Sequence, residues 1–245
     1  MKRFAALFDR LDASTSTRAK TAALAEYFAA ADPADAAWAA WFLTGHRPRQ
    51  AVPSKRLRLW AAEAARIPLW LFEECFDEVG DLAETIALVL PPPAGASDLA
   101  LSEWIENRLL PLRDLGEAEQ KARLLSYWDA LGGTGRFVFN KLITGNFRVG
   151  VSALLVMRAI AQASGVEAKV VAHRLAGDWR PGPALWASLV DTAQAATARS
   201  HPYPFFLAHP LEGGPEQLGP REEWLAEWKW DGIRAQLIRR GEATA

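Results

Sequence analysis

Across residues 1–197 alanine and leucine dominate, and apolar side chains recur at three- and four-residue intervals. That interval gathers them on one face of a helix, whereas a half-buried strand would need strict alternation. Gly45, the run Pro91-Pro92-Pro93, Pro111, Gly132-Gly133, Gly145, Gly165 and Gly177 interrupt the pattern, and residues of these types end helices. Start signals fall between them. Asp32-Pro33 sets a carboxylate ahead of a proline at the first helical position, where its missing N–H costs nothing. Ser54 opens a run to Ala65, and Ser97 or Asp98 opens Leu99 to Leu110. The punctuation predicts roughly ten to twelve helices of about 8–16 residues. No fixed-period repeat is present, which argues against a solenoid.

From His201 the texture changes. His201-Pro202-Tyr203-Pro204, Gly213-Gly214-Pro215 and Gly219-Pro220 mark extended and turn segments, because proline biases its predecessor away from helix. Glu223 to Trp230 and Ile233 to Arg240 alternate like two strands around Asp231-Gly232, a pair suited to a tight hairpin. The reading is a mainly α chain in three parts. Residues 1–197 form a multi-helix domain, 198–222 a linker, and 223–245 the first β-hairpin of a second, α+β domain.

The chain has 245 residues, 50% of them hydrophobic and 23% charged, which suits a globular protein of one large or two smaller domains. A formal net charge of −1 announces no partner by itself, but the charges segregate. His46 to Arg58 carries Arg47, Arg49, Lys55, Arg56 and Arg58 without an acid, and Glu73 to Glu84 carries six acids without a base. The single cysteine, Cys75, reads as core filling in a reducing compartment. With no secretion signal and no long apolar run, a cytoplasmic protein without membrane attachment is expected. Of the eleven tryptophans, Trp38, Trp41, Trp60, Trp70, Trp104 and Trp128 sit at helical spacing with other apolar residues and are expected to pack between helices. The four histidines show no ligand spacing, no metal site is expected among these residues, and there is no glycine-rich phosphate loop.

The chemistry-bearing string is Glu227-Trp228-Lys229-Trp230-Asp231-Gly232-Ile233-Arg234. On a strand, Glu227 and Lys229 share one face and the two indoles the other. A lysine so placed can act as a nucleophile when it is held neutral. The same residues also suit a plain hairpin whose turn is flanked by solvated charges.

Glu-x-Lys-x-Asp-Gly-x-Arg after some two hundred helical residues resembles the ATP-dependent DNA ligases, most closely the bacterial type with a helical DNA-binding domain and, within it, the group associated with the DNA-damage response. Asn140-Lys141-Leu142-Ile143-Thr144-Gly145-Asn146-Phe147-Arg148-Val149-Gly150-Val151 is similar to a segment of that domain, a leucine-rich helix followed by Gly-x-x-Arg-x-Gly. Gly80-Asp81-Leu82-Ala83-Glu84 resembles another, and Pro204-Phe205-Phe206-Leu207-Ala208 the lead into the adenylation domain. The resemblance spans nearly the whole chain, and the lysine string is its most specific part.

The resemblance implies that Lys229 takes AMP from ATP. Glu227 would read the adenine end, Arg234 the ribose and phosphate side, and Asp231 and Gly232 would form the turn. The Gly145–Gly150 turn would meet DNA phosphates through backbone amides and Arg148, with Lys141 and Arg136 extending the patch. The implied partners are nicked double-stranded DNA, ATP and Mg²⁺, with no obligatory protein partner. The implied setting is the bacterial nucleoid, in repair, recombination or replication. The family's later motifs, which supply metal-binding carboxylates and further lysines, do not occur before Ala245. A truncated ligase, unable to seal a nick by itself, is therefore expected. An RNA ligase or capping enzyme, or a non-catalytic helical DNA-binding module, would share part of these features.

Overall fold

The first three helices show why the chain folds as it does. Helix α1 (Lys2–Asp12) buries Phe4, Leu7, Phe8 and Leu11 on one stripe. In α2 (Thr17–Ala30), Ser16 caps the start by accepting from the Ala19 amide at 3.3 Å. Helix α3 (Pro33–Leu43) starts at the expected proline and is apolar nearly all round, the mark of a helix buried on most sides. The computed structural model describes residues 1–192 apart from 146, 148, 177 and 178, and then 211, 213–226, 228, 235, 237–241, 243 and 244. Within these residues follow α4 (Ser54–Ala65), α5 (Leu69–Val79), α6 (Leu82–Val89), α7 (Leu101–Trp104), α8 (Glu117–Ala130) and α9 (Gly133–Thr144). Helices α10 (Ala153–Ser164), α11 (Ala168–Arg174) and α12 (Pro183–Val190) complete the helical region.

The helices pack around one apolar core. Helix α10 lies along α2 and against α11, α12 covers α3, and α9 packs on α6 and α1. Helix α5 bridges α4 and α6. Trp60, Trp104 and Trp128 are buried as expected and Trp38 nearly so, whereas Trp70 is 66% exposed. Trp70 is the second residue of α5, beyond the reach of the stripe centred on Phe72. Cys75 is half-buried on the same helix rather than deep in the core.

Two expected boundaries moved. The helix foreseen over Leu99 to Leu110 begins at Leu101, and its cap is neither Ser97 nor Asp98. Asp35 of α3 supplies it: its carboxylate accepts from the Leu101 amide at 3.0 Å, the Ser102 amide at 2.8 Å and the Ser102 hydroxyl at 2.6 Å. Pro111 does not stop the run. The helix loosens into a π turn over Ile105–Leu109 and then tightens into a 3₁₀ turn over Leu110–Asp114. Proline stands near the start of that turn, where its missing N–H is tolerated.

In the expected linker, Pro215–Leu218 and Arg221–Glu223 are 3₁₀ turns. Of the expected strands, residues 227, 229–234 and 236 lie outside the described residues. The antiparallel pairing described is a two-residue ladder, Arg239–Arg240 (β1) with Ala243–Thr244 (β2). The expected turn at Asp231-Gly232 lies outside the described residues.

Candidate nucleic-acid interface

Helix α9 ends at Gly145, whose φ of +69° is left-handed, a conformation open to glycine at little cost. The chain then turns back through Gly150, φ +60°, to Ser152, which caps α10 by accepting from the Leu155 amide. Three anchors hold this turn. The Phe147 ring stacks on Phe4, centroids 5.4 Å apart, meets Phe8 edge-on at 5.4 Å and touches Phe42. Val149 is buried. Lys20, reaching from α2, donates to the carbonyls of Val149 at 2.7 Å and Gly150 at 3.2 Å.

Lys20 is only 8% exposed, and among the described residues no carboxylate pairs with it. Among the described residues its amino group is met beneath the turn by these two carbonyl oxygens. It also fills the space beside Gly150, where an added Cβ would stand 2.8 Å from Nζ. Sequence reasoning passed over Lys20. The signal was present: Lys20, Leu24 and Tyr27 fall on one helical stripe, and all three are buried.

Two expected members of the patch are buried and engaged within the fold. Arg136 is 5% exposed. Its guanidinium donates to the carbonyls of Trp128 at 2.9 Å, Leu131 at 3.2 Å and Pro91 at 2.9 Å, binding the α8–α9 corner to the proline run. Burial lowers its pKa, but a guanidinium remains charged. Lys141, 8% exposed, pairs with Asp81 at 2.5 Å. Asp81 also caps α6 by accepting from the Glu84 amide at 3.0 Å. Arg136 and Lys141 are therefore structural, and their place in the expected phosphate patch is withdrawn. Gly145 and Gly150 frame the turn as expected, and Arg148, between them in sequence, lies outside the described residues. So do Lys229, Glu227, Asp231, Gly232 and Arg234.

The basic run 47–58 divides. Arg56 is engaged by Glu117 at 2.6 Å and by Gln120. Arg58 is engaged by Glu73 at 2.6 Å, with its guanidinium 4.2 Å from the Phe76 ring centroid. Arg47 and Arg49 are exposed and, among the described residues, have no partner acid. They lie beside the end of α9: residues 47–50 and Ile143–Gly145 line one open cleft of about 470 Å³. Two segments far apart in sequence, the basic run and the end of α9, thus share a surface.

Among the described residues no group of three His, Cys, Asp or Glu side chains could hold a metal ion, so none is assigned to Mg²⁺. Nor is any helix among them long and apolar enough to cross a membrane.

Residues 1–182 match the family described as DNA ligase N terminus. A probable DNA ligase of Koribacter versatilis (strain Ellin345) is 40% identical over 99 residues, covering 39% of this chain and 17% of that protein. A probable DNA ligase of Anaeromyxobacter sp. (strain Fw109-5) is 29% identical over 178 residues, covering 66% of this chain and 33% of that protein. The matches span no more than a third of the length of either relative.

Proposed function

The chain belongs to the DNA ligase N-terminus family, and on that premise we propose that it is the DNA-binding part of an ATP-dependent DNA ligase, together with the lysine that carries AMP. The carrying observation is the order of two features. A helical region matching this family runs to residue 182, and the string Glu227-x-Lys229-x-Asp231-Gly232-x-Arg234 follows it. RNA ligases and capping enzymes share the string, and the match to the DNA ligase region is what favours DNA.

In the proposed reaction the neutral Lys229 amine attacks the α-phosphate of ATP. A nitrogen–phosphorus bond forms, the bond to the β-phosphate oxygen breaks, pyrophosphate leaves, and the nitrogen gives up one proton to solvent. AMP then passes from Lys229 to the 5′-phosphate at a nick, and the lysine nitrogen recovers its lone pair. The 3′-hydroxyl attacks that activated phosphate, loses its proton, and expels AMP as the strand closes. Splitting one condensation into successive substitutions is the logic of covalent catalysis. Glu227 and Arg234 are proposed to hold the adenine and ribose-phosphate ends of the nucleotide, and Asp231-Gly232 to shape the turn. Mg²⁺, when bound, supplies charge neutralisation on the phosphoryl oxygens; no described residue is assigned to it.

DNA binding is proposed to centre on the Gly145–Gly150 turn and Arg148. Supporting this are the buried Lys20 amine beneath the turn and, beside it, Arg47 and Arg49, which have no partner acid among the described residues. Contacts of this kind go to the phosphate backbone and give sequence-tolerant, salt-sensitive binding.

The test uses labelled ATP with the polypeptide that carries Lys229 within a complete nucleotidyltransferase domain. Acid-labile, base-stable label on the wild type and none on Lys229→Ala is the expected result. Undiminished labelling of Lys229→Ala refutes the reading. The 245-residue chain is proposed to bind nicked duplex.

A further inference from the structure

We propose that Arg47 and Arg49 are phosphodiester contacts, forming a second wall beside the Gly145–Gly150 turn on which the DNA backbone lies. This rests on the reading of the chain as a duplex binder and names residues that the resemblance did not supply.

The four arginines of the 47–58 run differ in what they touch. Arg56 and Arg58 have acid partners and aromatic or amide contacts. Arg47 and Arg49 have none among the described residues and are exposed. Yet the segment that carries them is fixed at both ends. On one side the His46 ring stacks on Trp41 at 5.5 Å and meets Trp179 edge-on at 5.2 Å, while its Nδ1 lies 3.0 Å from the Thr44 hydroxyl. On the other, Val52 is fully buried and the Ala51 carbonyl accepts from the buried Gln120 amide at 3.0 Å. The Gln120 amide also donates to the Leu112 carbonyl at 2.8 Å. Anchoring at both ends puts the ordering cost of this backbone on folding rather than on binding, and leaves two arginines without acid partners among the described residues on a fixed surface.

Among the described residues, the cleft they line contains no acid and no aromatic residue. Without a ring to stack on, it is suited to a backbone rather than to a base. One feature opposes an anion there: the C-terminus of α9, which carries about half a negative charge. Two guanidinium groups outweigh it roughly fourfold, so the local field remains positive. Arg47 lies against the turn, its Cδ 3.4 Å from where a Cβ on Gly145 would stand. A side chain at position 145 would therefore press on the arginine.

The experiment measures binding of the 245-residue chain to two fluorescein-labelled nicked duplexes of unrelated sequence across a salt series, by anisotropy. Each phosphate contact contributes about 0.9 to the slope of log K against log salt. The double variant Arg47→Gln/Arg49→Gln is expected to flatten that slope by about 1–2 on both duplexes, with each single variant taking about half. Arg47→Lys/Arg49→Lys is expected to restore the slope, since a point charge still releases counterions. An unchanged slope in the glutamine double variant, alongside tight binding by the wild type, overturns the proposal alone. A lysine double variant as flat as the glutamine one also overturns it, by showing that the arginines act through packing. Failure of the wild-type chain to bind either duplex overturns both this proposal and the reading beneath it.

Discussion

Replacing Lys20 with methionine keeps the buried stem and removes the ammonium. The two carbonyls it serves, those of the buried Val149 and the exposed Gly150, would be left without that donor. The Gly150 carbonyl can turn to water, so the cost falls on Val149: an unsatisfied buried carbonyl costs about 1–3 kcal/mol. Against this stands relief from burying a charge with no carboxylate partner among the described residues, which offsets part of the loss. Lys20 touches solvent at its edge, which keeps that relief small and leaves a net loss of about 1 kcal/mol. For a chain of this size that lowers Tm by roughly 2–4 °C. Circular dichroism melts of the wild type, Lys20→Met and Lys20→Arg measure it. Lys20→Arg is expected to recover part of the loss, because it still donates. A Lys20→Met melt within a degree of the wild type would refute the claim that the ammonium holds the turn.

Asp81→Ala removes the α6 cap and strands the buried Lys141; together these should cost about 4 kcal/mol. Asp81→Asn, which keeps an acceptor for the cap, should cost distinctly less in urea denaturation. Tyr27 is buried, and desolvation raises its hydroxyl pKa well above the ordinary value. The folded chain therefore keeps a proton that the unfolded chain releases above about pH 10, and stability falls as pH rises past that point. Urea melts at pH 9 and pH 11 should show this loss in the wild type and a smaller one in Tyr27→Phe.

Most of the helical framework was legible in the sequence, because apolar periodicity and Gly/Pro punctuation are local signals. Helix α3 began at its proline, and Gly45, Gly145 and Gly165 lay just past the ends of α3, α9 and α10. What escaped depends on distant partners. The α7 cap comes from Asp35, on another helix, and no rule of neighbouring residues reveals it. Pro111 read as a stop because local reasoning does not foresee a π turn that lets the helix run on to it. The basic run carries no acid of its own, yet acids from α5 and α8 claim Arg56 and Arg58 and leave Arg47 and Arg49 without one among the described residues. Arg136 and Lys141 look solvated in sequence, since nothing local announces three carbonyls or a carboxylate waiting for them. The lysine string was legible as chemistry, and its geometry lies outside the described residues.

Phe147 belongs at once to a surface turn and to the aromatic cluster of Phe4, Phe8 and Phe42. A turn rooted in this way cannot open as a separate low-energy unit, since lifting it would expose its ring and uncover those neighbours. Amide exchange at Phe147 and Val149 should therefore track that of α1 and α10, and heating should abolish grip on a ligand and the first helix together. A first-helix substitution far from any phosphate, such as Phe4→Ala, then reports on recognition as sharply as on folding.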